Sequence, residues 1–374
     1  MEIPVAKPLI EEEEIRAAVE ALEMGWLGMG SYVGKLEEEL GNYLGLEDRY
    51  LALVSTGTDA IHLGLLVAGV GPGDEVIAPS LNFISDISAI MATGADPVIS
   101  DVRDDTICID LVKAEELVTE KTKAIIAMDY SCCLCDFEQL ENLAVKYNLR
   151  VIHDACHSFG SSYRGKKIGT FSDICVFSFD PIKSMTCIDG GAVVVRTQEE
   201  LEHVWELRQL GTQVAPNVVY QNKKRFTFDV ERLGFRDHMP NLHAAIGIEQ
   251  LKKMDRIAKA KREACIYYNE RFSRIKGVKV PTSDFSDIVP FLYYLRIEHG
   301  RRDEFRNYLR ENGVGTGLHW VPNHKLSLVQ QYRKGDVSVA DTIGEEIVTI
   351  PLFTEITREE QDYVIEKASS FFYD

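Results

Sequence analysis

Stretches with apolar residues three and four apart alternate along the chain with short continuous apolar runs. The first rhythm predicts helices and the second buried strands. One helix is predicted over 11–24, with Ile15, Val19 and Leu22 on one face, and another over 31–44, with Val33, Leu36, Leu40 and Leu44 apolar. Between them GWLGMG, residues 25–30, is a glycine-punctuated loop. The strand LALVS (51–55) then runs through TGTDA into a helix at 60–69. The turn GPGDE leads to the strand EVIAPS, and the pattern repeats: helical at 85–93, strand at 97–101, helix at 112–119, strand at 123–128, helix at 137–147, then the strand RVIHD. An apolar run from Ile174 to Phe179 breaks at Asp180-Pro181, and the pair Gly190-Gly191 opens another, Ala192 to Val195.

Strands alternating with helices in this way predict an α/β fold, with a mixed, mostly parallel sheet between helices. In such a sheet ligands collect at the carboxyl ends of the strands. From Pro240 the pattern changes. Residues 240–274 read as one long helix or two in line; after Pro281 come the strand FLYYLRIE, a helix at 301–312, a His-rich loop at 318–325 and a final helix at 357–372. This divides the chain into a large domain, 1–250, with an N-terminal arm, and a smaller C-terminal α+β domain, 251–374. A chain of 374 residues is long enough for two such lobes.

The formal charge of −18 argues against nucleic acid and anionic membranes as partners. A small anionic ligand stays open, provided that cations are concentrated locally. There is no run of about 18 uncharged apolar residues that would predict a membrane span. The N-terminus, MEIPVAKPLIEEEE, has no basic-then-apolar leader pattern, so a cytoplasmic address is expected. The eight cysteines lack framework spacing and are expected to be reduced thiols.

Three predicted strand ends carry unusual polar residues. Ser55-Thr56-Gly57-Thr58-Asp59 opens a helix, where free amides and the helix dipole favour an anion, and Gly57 lets a phosphate approach; plain N-capping by Thr56 fits the same residues. In His153-Asp154-Ala155-Cys156-His157 a carboxylate ends an apolar strand and needs a partner to stay charged. A pyridinium N–H would serve; so would a salt bridge, or a metal held by His153, Asp154 and His157. The spacing of Cys132, Cys133 and Cys135 matches no common zinc motif. Lys183 sits on a short turn between two buried strands, with Ser178 five positions before it. A lysine against an apolar wall loses protons more readily, and the free amine attacks carbonyls to form an imine; a solvated loop lysine is the competing reading. Phosphate donors including Ser178, a buried carboxylate and an imine-forming lysine are together what pyridoxal phosphate requires.

These motifs resemble those of the DegT/DnrJ/EryC1/StrS family of sugar aminotransferases. GWLGMGSYVGKLEEEL, STGTDAIHLGLLVAGVGPGDEVIAPSLNF, HDACHSFGSSYRGKKIGTFSDICVFSF, MPNLHAAIGIEQLKKMD and GVGTGLHWVP carry the likeness over nearly the whole chain. The resemblance implies the fold-type-I architecture of the pyridoxal-phosphate transferases. It also implies that Lys183 carries the cofactor covalently and moves the proton, that Asp154 pairs with the pyridinium, and that His157 stands beside the phenolic oxygen. Phe83 would stack on the ring, while Ser178 and the backbone of Gly57, Thr58 and Asp59 would hold the phosphate. Family members are homodimers with active sites shared across the interface.

Where the family commonly reads G-Y-N-Y-R-M, this chain has Gly234-Phe235-Arg236-Asp237-His238-Met239. The family's Asn reaches the partner's phosphate; Arg236 is expected to do so with a charge, or to meet the substrate's phosphates. His238 takes the place of the family's Arg in the substrate loop. The basic cluster Asn222-Lys223-Lys224-Arg225 reads either as a solvated loop or as a diphosphate site, and His319 and Trp320 align with a position near the sugar. The implied activity moves an amine from an amino acid, L-glutamate, through pyridoxamine phosphate to a nucleotide-diphospho-keto-sugar, for glycan or antibiotic assembly. Relatives with His in place of the lysine run a dehydration instead, so a sugar dehydratase is the alternative within the class. A non-catalytic relative would have lost Lys183, Asp154 or Ser178.

Overall fold

A computed structural model describes residues 1–213, 216–223 and 228–373. Its centre is a seven-stranded sheet: β1 (Tyr50–Val54), β2 (Glu75–Pro79), β3 (Asp96–Ser100), β4 (Thr122–Met128), β5 (Arg150–Asp154), β6 (Ile174–Ser178) and β7 (Gly191–Val195). The spatial order is β1-β7-β6-β5-β4-β2-β3. Every pair from β6 to β3 is parallel; only β7 is antiparallel to its neighbours β6 and β1. With β7 reversed, β1 runs in the same sense as β6. The carboxyl ends of β1, β2, β4, β5 and β6 therefore share one edge with the start of β7.

Helices cover both faces. β6 and β7 are buried at every position, as a strand sealed on two sides must be. Helix α2 (Ser31–Leu44) buries the predicted stripe Val33, Leu36, Leu40 and Leu44. Helix α1 (Glu12–Met24) behaves differently: Ile15, Val19 and Leu22 point to solvent. Its inward stripe is Glu14, Ala17, Ala18 and Ala21, one helical face at i, i+3, i+4 and i+7. Small side chains let α1 approach the helix Asn241–Leu251 closely. Glu14 is tolerated there because Gln250 and Lys253 both donate to its carboxylate at 2.8 Å.

The predicted helical stretch 240–274 is two helices, Asn241–Leu251 and Met254–Phe272, joined at Lys252-Lys253. Beyond it, the strands Val278–Lys279, Tyr293–Ile297 and Ile347–Ile350 form an antiparallel sheet with its own apolar core, which includes Tyr268, Phe272, Phe305 and Leu309. Ile3 also packs in this second core and exchanges backbone hydrogen bonds with Gly313 and Gly315. The first residues of the chain thus pack with its C-terminal part. The helix Gln198–Leu207 and the pair Ser338–Glu346 and Ile347–Ile350 lie outside the elements predicted from periodicity. None of the helices among the described residues is long and apolar enough to cross a membrane.

Leu36, on α2, is fully buried, with its side chain against Gly247 of the helix Asn241–Leu251. Leu36→Ala is expected to destabilise the fold by about 2–5 kcal/mol, read as a lowered denaturant midpoint with unchanged slope; a loss below about 0.5 kcal/mol would contradict this packing.

Candidate active site

A cavity of about 350 Å³ opens at the shared strand edge and is lined by Gly57, Asp154, Ser178, Lys183 and Trp320, among others. Each side chain arrives by a separate route through the sheet. After β1 the chain turns into helix α3 (Gly57–Val67), with Thr56 as N-cap: its Oγ1 accepts from the Asp59 amide at 3.0 Å. That leaves the first-turn amides of Gly57 and Thr58 facing the cavity end of the helix. The Asp59 amide is already taken, and its carboxylate accepts from the Ser55 and Thr56 hydroxyls at 2.6 and 2.7 Å. Asp59 is therefore a cap-stabilising residue, and only Gly57 and Thr58 retain amides for an anion. Gly57 is required by close approach: a Cβ there would lie 2.7 Å from Ser178 Cβ. Gly191, at the start of β7, is equally constrained, since its Cβ would lie 2.3 Å from the Thr56 carbonyl oxygen.

Lys183 follows β6 on a turn closed by its own amide, which donates to the Asp180 carbonyl at 3.1 Å. Its Nζ stands 4.1 Å from the centre of the Phe291 ring. Burial lowers its pKa, opposed by the fields of Cys156, Asp154 and Asp180. Behind the turn, the buried Lys261 donates to Ser184 Oγ at 3.1 Å and to the Phe291 carbonyl at 3.2 Å, and burial pushes its pKa down to about 8. Periodicity gave no sign of Phe291 or Lys261; both come from the chain beyond residue 250 and meet the turn only in three dimensions.

Asp154 ends β5, buried, with Oδ1 accepting from the Cys156 amide at 2.9 Å. Burial raises its pKa, while the Cys156 hydrogen bond and Lys183 pull the other way. His157 is wedged between the Phe291 ring at 4.3 Å and the Trp320 indole at 5.2 Å. Its Nδ1 accepts from the Ser131 amide at 3.1 Å, so its proton sits on Nε2. Burial and the neighbouring Lys183 and His319 hold its pKa well below the usual histidine range, so the ring is neutral. His319 is likewise pushed down to about 4, by burial and by Lys183.

Phe83 is half exposed at the cavity mouth, 5.8 Å from Trp320. His319 is fixed by Thr349 Oγ1 at 2.7 Å, and its carbonyl accepts from the Tyr130 hydroxyl. Trp320 spends one ring face on His157. Arg236 and His238 line a different cavity, of about 520 Å³, beside the loop Gly25–Met29. Arg225 lies outside the described residues. Among the described residues lining the Lys183 cavity, Lys183 is the only cation.

The metal alternative is not supported by the side-chain directions. His153 faces away from Asp154: its Nε2 is 2.7 Å from Asp129 Oδ2 and its Nδ1 2.8 Å from Ser172 Oγ. Among the described residues, His, Cys, Asp and Glu form no group of three or more able to hold a metal. Cys132 and Cys135 are buried, with their thiols on the carbonyls of Leu292 and Met128 at 2.9 and 3.1 Å. In the His-rich loop, His324 bonds Ser80 and Asp341 at 2.6 and 3.1 Å. The Ser80 hydroxyl is fully buried, so this chain of contacts ties the loop down and offers no accessible nucleophile.

The chain matches the family model described as the DegT/DnrJ/EryC1/StrS aminotransferase family over residues 8–369. It is 31% identical to the GDP-perosamine synthase of Escherichia coli O157:H7 over 374 residues, covering 100% of this chain and 99% of that one. Among solved structures it is similar to the aminotransferase TlmJ from Streptoalloteichus hindustanus, with a TM-score of 0.90, 28% identity and 98% of each chain covered. It is also similar to the PLP form of Spr1654 from Streptococcus pneumoniae, with a TM-score of 0.91, 25% identity, and 100% and 99% of the two chains covered. The sheet and its lobes are those of the fold-type-I aminotransferases.

The His153–Asp129 contact has a pH signature. Burial opposes the imidazolium, but Asp129 lifts its pKa to about 10. Since the folded value lies above the unfolded 6.5, the contribution is complete below about pH 6.5 and is lost as pH rises through about 10. His153→Leu is expected to cost about 3–5 kcal/mol at neutral pH, by stranding Asp129, and less at alkaline pH; a deficit that is constant with pH would contradict this pairing.

Proposed function

The chain belongs to the DegT/DnrJ/EryC1/StrS aminotransferase family, and from that membership we propose that it transfers the amino group of L-glutamate to the keto carbon of a nucleotide-linked sugar, as a cytoplasmic enzyme using pyridoxal phosphate. The observation that carries this reading is the convergence of Lys183, its pKa lowered by burial, a buried Asp154 and the open amides of Gly57 and Thr58 on one cavity. A buried carboxylate with no contacting cation among the described residues, and a helix N-terminus with unfilled donors among them, are both incomplete by themselves. A phosphorylated pyridine with an aldehyde completes both, and the cavity is of the right order for it.

Gly57 and Thr58 amides, with Ser178 Oγ, would hold the phosphate. Asp154 would accept the ring N–H, and neutral His157 would offer its Nε2 proton to the phenolic oxygen. Phe83 would cover one ring face. When bound, the cofactor supplies an aldehyde for the substrate amine and a cationic ring that accepts the electron pair left when a carbon–hydrogen bond breaks. Lys183 Nζ, its pKa lowered by burial, would hold the aldehyde at rest. Once displaced by substrate, it would take the proton from the substrate carbon and hand it to the cofactor's former aldehyde carbon. The Trp320, Phe291 and Phe83 rings exclude water from that transfer. An intact Lys183 favours transamination over the dehydration known for His-bearing relatives.

Substrate recognition completes the reading. The two phosphates of a nucleotide sugar need cations, and Lys183 is the only one among the described residues of its cavity. Arg236 and His238, and Arg225 by its place in the sequence, would serve the site of a second copy of this chain in a homodimer. Solvent-facing Ile15, Val19, Leu22, Leu27 and Leu233 support such an association. His319 and Trp320 would border the sugar.

The test is a two-step assay on protein loaded with pyridoxal phosphate. Glutamate should yield 2-oxoglutarate and bleach the bound cofactor's visible colour, and a keto-sugar nucleotide should restore it; absence of 2-oxoglutarate would overturn the donor. Lys183→Ala is expected to stay folded and lose about 10²–10⁴-fold or more in turnover. Full activity in that variant would remove Lys183 from its role. Arg236→Ala should raise KM for the nucleotide sugar while leaving KM for glutamate near its starting value; an equal rise in both would argue against diphosphate recognition.

A further inference from the structure

Helix α4 (Ser85–Ala92) carries a second carboxyl group beneath the cavity floor. Asp86, in its first turn, is fully buried. Its Oδ2 accepts from the Asn82 side-chain amide. Its Oδ1 has no partner among the described nitrogen and oxygen donors. Facing it from the end of β5 is the carboxyl of Asp154, within hydrogen-bonding contact. Two carboxyl groups in contact away from water cannot both ionise, and a proton retained by one is what joins them.

The surroundings decide which one keeps it. Asp154 accepts the Cys156 amide at 2.9 Å and lies in the fields of Lys183 and His153. Among the described residues, the other ionisable group facing the pair is the Cys156 thiol, whose burial keeps it protonated. Asp86 has one neutral amide as donor and no cation against it among the described residues. The negative charge is therefore better supported on Asp154.

We propose that Asp86 is a positioning residue: as a neutral carboxylic acid it donates its O–H to Asp154, so that the pair carries one negative charge and Asp154 presents it to the cofactor's ring nitrogen. This rests on the reading of Asp154 given above. Burial and the neighbouring Asp154 push the Asp86 pKa well above the ordinary carboxyl range, in keeping with that state. A donor behind a carboxylate favours its charged form. Asp154 thereby resists taking the ring proton for itself and leaves the pyridinium intact as an electron acceptor.

The experiment compares the wild type with Asp86→Asn, which keeps an N–H donor without a titrating group, and Asp86→Leu, which keeps bulk without a donor. First, cofactor-free protein is unfolded in denaturant between about pH 6 and pH 8. The folded pKa of Asp86 lies above its unfolded value, so its contribution to stability must fall as pH rises. The wild-type folding constant, divided by that of Asp86→Asn, is expected to drop about tenfold per pH unit, the signature of one proton taken up on folding; a flat ratio overturns the proposal. The infrared difference between these two proteins should contain the carbonyl stretch of an un-ionised carboxylic acid, and its absence also overturns it. Second, in protein loaded with pyridoxal phosphate, Asp86→Leu should shift the pH midpoint of the bound cofactor's visible absorption by about 1–2 units, with Asp86→Asn restoring most of the wild-type value. Identical midpoints in all three would reject the positioning role. Wild-type protein that binds no pyridoxal phosphate would sink the functional reading instead, and the cofactor-free comparison would still judge the Asp86 proton. Should Asp86→Leu fail to fold, wild type against Asp86→Asn decides.

Discussion

A half-buried lysine amine set against an aromatic ring is the feature on which the site depends. Ammonium groups resist burial because water solvates them well, and a buried one either finds anions or gives up its proton. Here the turn after β6 sets Lys183 against the Phe291 ring, with Asp154 and Asp180 contributing only through their fields. A salt bridge would have left an inert cation. Partial desolvation opposed by distant charge lowers the amine's pKa without pairing it, which favours imine chemistry and proton transfer.

The parallel sheet makes this arrangement possible at low local cost. Strand ends that share an edge deliver unlike groups to one place without long loops: a helix N-terminus after β1, a carboxylate after β5, a hydroxyl and an amine after β6. The fit is tight enough that two positions admit only glycine, Gly57 against Ser178 and Gly191 against the Thr56 carbonyl. Aromatic groups from the C-terminal part then close the far wall. Tyr130 bonds the His319 carbonyl, and Ser131 Oγ donates to the Leu292 carbonyl at 2.8 Å, so the wall is tied to the loop after β4.

A second layer of buried charge supports the first. His153 and Asp129 point away from the cavity, yet Asp129 Oδ1 also accepts from the Cys135 amide at 2.9 Å and Oδ2 from Ser158 Oγ at 2.5 Å. One carboxylate thus sets the loop carrying Tyr130 and the turn carrying His157 relative to each other. Adjacent residues of β5 serve opposite sides of the sheet, because successive side chains on a strand alternate. His153 stabilises the back, and Asp154 faces the cavity.

Periodicity by itself determined the alternation of strand and helix, the buried stripe of α2 and the strand ends where chemistry collects, because these follow from local pattern. Lys183, Asp154 and Ser178 stood out for the same reason: Asp154 ends an apolar strand, Ser178 lies near the end of another, and Lys183 is on the turn that follows it. Direction was not legible. Ile15, Val19 and Leu22 form a proper helical stripe, but which face of α1 turns inward depends on Ala17, Ala18, Ala21 and Glu14 fitting the helix Asn241–Leu251, a contact between segments more than two hundred positions apart. Nor does a sequence disclose that Asp59 spends its amide on a cap, that Trp320 stacks on His157, or that Asp86 meets Asp154. Those pairings join residues distant along the chain or settle competition between partners, and only the packed tertiary structure decides them.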